Sequence, residues 1–323
     1  MPDRIWCLLN TKFTRFVLRL IISLGIIAIF AYYLYENADK YLELLHISRT
    51  GVLILFLLSL TFPLLNGMQN TYLYRGLGVA EFSHWDSFLI TAASTLANQL
   101  PVPGGILSRG YYLKQRYNLS YSKYTSSTVA TLFLYLAVNG LIGVLVLFYW
   151  IVINRLAIPS VLLIGFTAMM ACILVFWLPF ERISMTQRIR HWAHQILEGW
   201  TAIGQNPVLL FRLGVLQATL VAMLSLRYWI AFHMLSQDIS LGQTLLFASA
   251  SILTQLVSIA PGGLGVREAI VASVATVLGF DTGVSIVAVS LDRLVVTVMI
   301  VLTGWASTLI LGKQISDTPK EAA

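Results

Sequence analysis

Two arginines stand in the same relation to two copies of one short break. The first copy runs from Leu100 through Pro101, Pro103, Gly104 and Gly105 to Arg109; the second runs from Ser258 through Pro261, Gly262, Gly263 and Gly265 to Arg267 and Glu268. The Pro-Gly-Gly triplets begin at Pro103 and Pro261, 158 residues apart, and an arginine follows each proline at the same offset of six. A guanidinium fork binds phosphate through two parallel hydrogen bonds. Each arginine falls in the first turns of the helix after its break, where free N–H groups and the positive helix end also favour an anion. The chemistry implied is capture of a phosphate. The prolines and glycines themselves carry no chemistry: proline removes an N–H and crowds the preceding turn, and Gly-Gly permits backbone angles that helices do not use.

The elements that must position these arginines lie in a bilayer. The 323 residues are 58% hydrophobic and only 11% charged, with a mean hydropathy of +0.80. Average soluble domains are roughly 25% charged, so this is an integral membrane protein. The formal charge of +7 reads as positive cytoplasmic loops, not as a nucleic-acid surface. The two cysteines, Cys7 and Cys172, are placed too differently for a disulfide, and the five histidines form no ligand set. No metal or cofactor is expected.

Apolar runs predict six full spans, at about 16–35, 51–74, 125–151, 159–180, 208–235 and 284–311. The runs 85–100 and 106–117, flanking the first break, are too short and polar to cross alone. Those at 241–260 and 264–278 flank the second. We read each pair as a re-entrant hairpin; the alternative is that both cross fully and the breaks lie at the surfaces. Broken backbone at membrane depth is tolerated where it is buried in protein or lines a wet cavity. Matched breaks in two halves of a hydrophobic chain mark transporter-like sites.

Charge sets the orientation. Lys12, Arg15 and Arg19 place the N-terminus inside, and Lys313 and Lys320 place the C-terminus inside. The first hairpin then opens inside, beside Lys114, Arg116 and Lys123, and the second opens outside, between Asp238 and Asp281. The expected fold is therefore an all-α polytopic membrane protein with two re-entrant hairpins in an inverted-topology repeat. It forms a single membrane domain, 1–323. Its halves, 51–180 and 208–311, are joined by a cytoplasmic amphipathic segment, 181–206.

The remaining intramembrane charges admit two roles each, because a charge at that depth must be paired, hydrated or facing a cavity. Arg267 binds phosphate or pairs with Glu268 or Asp292; Arg109 binds phosphate or lies near the cytoplasmic interface. Glu268 is a proton or cation site, or neutralises an arginine. Asp292, Arg293 and Arg227 face the bundle, with structural salt bridges the favoured role. Asn98 and Gln255, just before the breaks, receive a headgroup or re-satisfy broken backbone.

The stretch Ala260 to Glu268, Ala-Pro-Gly-Gly-Leu-Gly-Val-Arg-Glu, resembles the signature of the lysylphosphatidylglycerol synthase transmembrane, or flippase-like, family. Asn98 to Gly105 with Arg109 is similar to its first-half counterpart, and Asp292-Arg293 to a pair often found in its last span. The resemblance covers about residues 10–312. It implies tilted spans with re-entrant helices and a lipid-handling role. It also implies a stand-alone member without the soluble synthase domain, hence not an enzyme.

The expected function is flippase-like movement of an anionic or phosphate-bearing lipid across a bacterial inner membrane. That lipid is a phospholipid or a polyprenyl-phosphate-linked sugar. Two other readings stay open. One is a membrane glycosyltransferase using Glu36, Asp39 and Glu43. The other is a non-transporting partner of a lipid- or glycan-modifying enzyme. The expected partners are a membrane lipid and such an enzyme, with no nucleic acid.

Overall fold

A computed structural model describes residues 48–99, 104–153, 158–177, 203–256 and 265–316, and of 175–177 and 315–316 the backbone alone. Every regular element among them is helical. The expected span 16–35, the residues 181–202, the acidic residues Glu36, Asp39 and Glu43, and Pro101, Pro103, Pro261, Gly262 and Gly263 lie outside the described residues.

The first described span is two helices in line, α1 (Arg49–Ser59) and α2 (Thr61–Gly76). Pro63 explains the joint: it has no N–H, and its ring crowds the carbonyl four residues back. The Leu60 N–H is shared between the Phe56 and Leu57 carbonyls at 3.3 Å each. The Ser59 and Thr61 hydroxyls donate to the carbonyls of Phe56 and Leu58, both at 2.6 Å. Two short helices follow, α3 (His84–Ala97) and α4 (Gly104–Tyr117), then the long α5 (Tyr121–Val152). Later comes the long α7 (Pro207–His233), followed by the short α8 (Leu241–Ala250), which continues as a 3₁₀ turn over Ser251–Gln255. The short α9 (Val266–Val277) and the long α10 (Thr282–Ser316) close the described chain. The order long, short, short, long thus occurs twice, starting at residues 49 and 207.

Helix starts follow local rules. Ser48, Ser83, Ser120 and Asn206 each accept a hydrogen bond from the backbone N–H three residues on, and Pro207 occupies the first position of α7. Ser240 and Gln243 form a reciprocal capping box on α8.

Four helices among the described residues are long and apolar enough to cross a bilayer: Arg49–Gly76, Tyr121–Val152, Pro207–His233 and Thr282–Gln314. They agree with four of the six expected spans. The expected span 159–180 differs. Its α-helix, α6 (Ser160–Ala171), gives way to a 3₁₀ helix over Cys172–Trp177. Twelve residues rising 1.5 Å and six rising 2.0 Å still extend to roughly 30 Å, about the hydrocarbon thickness. The arms α3 and α4, of 14 residues each, reach only about 21 Å.

Burial is inverted relative to a soluble domain. Phe211, Ile164, Leu294 and Trp305 are exposed, while Ser87, Thr91, Ser94, Thr244 and Ser249 are fully buried. An apolar exterior with hydroxyls inside suits a lipid solvent, where polar groups must find partners within the protein. One apolar cluster joins α2, α3, α4 and α5 through Leu73, Tyr74, Leu89, Leu113 and Leu134. A second joins α7, α8, α9 and α10 through Tyr228, Phe232, Phe247, Val271 and Ala288. The halves interlock, with α10 packed on α3 and α8 on α5.

Candidate functional site

Arg109 is carried on the second turn of α4 and points back toward α2 and α3. Its Nη2 donates to the Ser94 hydroxyl at 2.7 Å and its Nη1 to Asn70 Oδ1 at 3.4 Å. Asn70 is oriented by its own amide, which donates to Thr91 Oγ1 at 2.8 Å and to Asn66 Oδ1 at 3.2 Å. The Nε of Arg109 is buried without a hydrogen-bond partner among the described residues. Among the described residues, the titratable groups acting on the guanidinium are Tyr74, Tyr124 and Tyr135, with no carboxylate. The described side chains that hold this cation, Ser94 and Asn70, are neutral.

The break itself explains the local shape. The Gly105 N–H donates to Asn98 Oδ1 at 2.9 Å, so Asn98 re-satisfies backbone across the break. A Cβ on Gly104 would stand 2.8 Å from the Ala97 carbonyl oxygen, and one on Gly105 would overlap the Ser94 carbonyl oxygen and Asn98 Oδ1. Only glycine lets the start of α4 approach the end of α3 this closely. That approach brings Arg109 within reach of Ser94. The open end of the hairpin is tied by the Tyr117 hydroxyl, which donates to Asp86 at 2.6 Å.

The second site is built from ion pairs. Arg227 on α7 grips Asp292 on α10 bidentately, Nε to Oδ1 at 2.8 Å and Nη2 to Oδ2 at 2.7 Å. Arg293 Nη1 donates to both oxygens of Glu268 on α9, at 2.9 and 3.1 Å. All four side chains are at most 10% exposed. Arg267, beside Glu268 at the start of α9, pairs with neither carboxylate, which corrects that expectation: both acids are engaged by other arginines. Its Nε is buried with no partner among the described residues, as at Arg109. Tyr228, whose hydroxyl lies 3.0 Å from Ser251 Oγ, feels Arg267, Arg227 and Asp292, and Arg293 feels Arg267. One cluster, buried except for the partly buried Arg267, therefore contains every charged candidate of the second half. Gly265 starts α9 at φ 78°, a left-handed angle suited to glycine. Gln255 ends the 3₁₀ turn and is exposed.

Both sites and both breaks fall within one family match. The model of the lysylphosphatidylglycerol synthase TM region matches residues 16–304. The chain belongs to that family. It matches no curated protein and no solved structure. Membership ties this lysylphosphatidylglycerol synthase TM region to membrane lipids, and its apolar helices make it a membrane protein.

Several residues of the family member's first site escaped the sequence reading: Asn70, Ser94, Tyr74, Tyr124 and Tyr135. One signal was present. Gln69, Asn70 and Thr71 stand together inside an otherwise apolar span, and a run of polar side chains there must face the protein interior. A groove of about 940 Å³ lies elsewhere, between the end of α5, the start of α8 and the end of α9. Tyr149, Trp150, Ser240, Gln243 and Leu278 are among the residues lining it, and neither arginine is. Among the described residues no group of three metal-ligating side chains occurs.

Proposed function

We propose that this protein moves a phosphate-bearing anionic lipid between the leaflets of a bacterial inner membrane, with both termini cytoplasmic and without catalysing a reaction. The observation that carries the reading is the pair Arg109 and Arg267. They stand at matched positions after matched breaks, and among the described residues each has a buried Nε without a partner and neither is paired with a carboxylate. A partly buried guanidinium without a counter-ion is unfavourable at membrane depth, and an arriving phosphate relieves that cost. The neutral donors and acceptors around Arg109 suit a headgroup that enters and leaves.

In this mechanism the two element sets form an inverted repeat of six spans and two re-entrant hairpins. The first arginine is reached from the cytoplasmic side and the second from the other. The headgroup passes through the polar interior while its tails remain in lipid, and rocking of one half against the other exchanges access. The recurrence of the element order and the interlocking of α10 with α3 and α8 with α5 support this reading. A neighbouring lipid- or glycan-modifying enzyme is a compatible partner.

The test is transfer of a fluorescent phosphatidylglycerol across vesicles carrying the purified protein. The Arg109→Ala/Arg267→Ala variant is expected to fall to the protein-free rate while its melting temperature changes little. Each lost charge-assisted contact is worth about 1.5–3 kcal/mol, roughly a tenfold to hundredfold loss per site. Undiminished transfer by the folded double variant overturns the proposal.

A further inference from the structure

We propose that the pocket between the end of α2 and the start of α7 binds the phosphate of an anionic membrane lipid, at a place separate from both arginines behind the breaks. The inference goes beyond the transport reading and stands without it, because none of its residues belongs to either of those sites.

The pocket holds about 200 Å³, and Tyr72 and Arg75 of α2 and Asn206, Leu209 and Arg212 at the start of α7 are among the residues lining it. Two guanidiniums from two helices face one space. Each is anchored on one side only. Arg75 donates through Nε to the Phe82 carbonyl at 2.9 Å, which leaves its two Nη groups, and the Arg212 guanidinium lies over the Tyr72 ring, 5.4 Å from its centre. Stacking on a ring face keeps the in-plane donors of a guanidinium free. Among the described residues neither arginine is ion-paired; Glu81, next to Phe82 in the chain, is exposed.

Packing does not call for this pair. A Cβ on Gly76 would stand 2.7 Å from Leu209 Cδ2, so α2 and α7 touch beside the pocket. The 158-residue offset of the breaks relates Gly76 to Met234 and Gly51 to Leu209. At that other end of α7 a Cβ on Gly51 would stand 2.9 Å from Met234 Sδ, the same kind of contact. There Ile54 and His233 occupy the positions of Arg212 and Arg75. The close contact occurs at both ends, and the guanidinium pair at one.

A phosphate reaches such a pocket on a lipid or as a free ion, and the surface beside it selects the lipid. Leu64 and Met68 precede Tyr72 at four-residue steps on α2, and Val208 and Val215 flank Phe211 and Arg212 on α7; the four aliphatic side chains and Phe211 are exposed. Residues so spaced share a helix face. Both apolar stripes run from the arginines into the membrane-crossing helices, where the chains of a headgroup held in the pocket would lie. Basic pockets between membrane helices near the interface suit anionic headgroups, and arginine forks suit phosphate.

The experiment is native mass spectrometry of the full chain in mild detergent, loaded with phosphatidylglycerol or with phosphatidylcholine of the same acyl chains. It is run in the Arg109→Ala/Arg267→Ala background, so that the sites behind the breaks do not contribute. Adding Arg75→Gln/Arg212→Gln is expected to weaken phosphatidylglycerol binding about thirtyfold, roughly fivefold per arginine at a membrane surface. Phosphatidylcholine binding and the lipid-free melting temperature should not change. Arg212→Gln alone, which removes no hydrogen bond among the described residues, should give the fivefold part and guards against a folding defect. Phosphatidylglycerol bound equally with and without the two arginines overturns the proposal. Inorganic phosphate that raises the melting temperature only when both arginines are present, with no preference for phosphatidylglycerol over phosphatidylcholine, marks a free-ion site and overturns the lipid assignment. Neither failure touches the transport reading, which the Arg109→Ala/Arg267→Ala transfer assay decides by itself.

Discussion

Arg109 and Arg267 follow the same kind of break at the same offset, yet their surroundings have almost nothing in common. Around Arg109 the contacts are an amide, a hydroxyl and phenols. Around Arg267 they are two buried ion pairs that bind α9 to α10 and α10 to α7. The first hairpin is held by shape, through the close approach of Gly104 and Gly105 to α3 and the Asn98 bond across the break. The second is held by charge. The difference teaches that a matched arginine does not require a matched scaffold. What the two sites share is a buried Nε with no partner among the described residues.

The largest expected effect tests the charged scaffold. Asp292→Ala leaves Arg227 buried and unpaired, and removing one partner of a buried pair costs about 3–5 kcal/mol. The melting temperature in detergent should fall steeply. Arg227→Met/Asp292→Leu should recover most of the loss, because it removes both charges at once. A small effect of the single variant would mean that the second hairpin is held as the first is, by shape.

The next effect tests the shaped scaffold. Gly105→Ala drives a Cβ into the Ser94 carbonyl oxygen and Asn98 Oδ1, so α4 must move away from α3. Such overpacking costs about 1–3 kcal/mol. Because Ser94 also holds the Arg109 guanidinium, lipid transfer should fall more than stability does. Transfer that tracks stability alone would separate the hairpin contact from the site.

The smallest effect isolates the bond across the break. Asn98→Ala removes the acceptor for the Gly105 N–H and should lower stability by about 1 kcal/mol, as loss of a helix-start acceptor does. Transfer should remain measurable, since Asn98 serves the backbone. Abolished transfer in a stably folded Asn98→Ala protein would return Asn98 to the headgroup site.

Much of this was legible before folding. The expected spans 51–74, 125–151, 208–235 and 284–311 agree with the observed Arg49–Gly76, Tyr121–Val152, Pro207–His233 and Thr282–Gln314 within a few residues. Long apolar runs have few alternatives in lipid, and Ser, Asn and Pro at their starts mark the first turns. The expected span 159–180 is helical over Ser160–Trp177 but changes from α to 3₁₀ at Cys172, a difference that composition does not show. Among the charges, the sequence offered Arg267 with Glu268 and Asp292 with Arg293 as neighbours. Neither pair of neighbours meets. Adjacent residues on a helix project about 100° apart and do not face each other.

By itself, then, the sequence determined an all-helical membrane protein, the places where its helices break, and the two arginines that follow the breaks. Apolar length, capping residues and Pro-Gly-Gly act locally, and local physics can be read in order along the chain. Only the tertiary structure decided the partners. Arg293 reaches back 25 residues to Glu268, Arg227 reaches forward 65 to Asp292, and Arg109 meets Asn70 across 39. Those contacts depend on which helix faces pack together, and that choice leaves Arg109 and Arg267 with no carboxylate paired to them among the described residues.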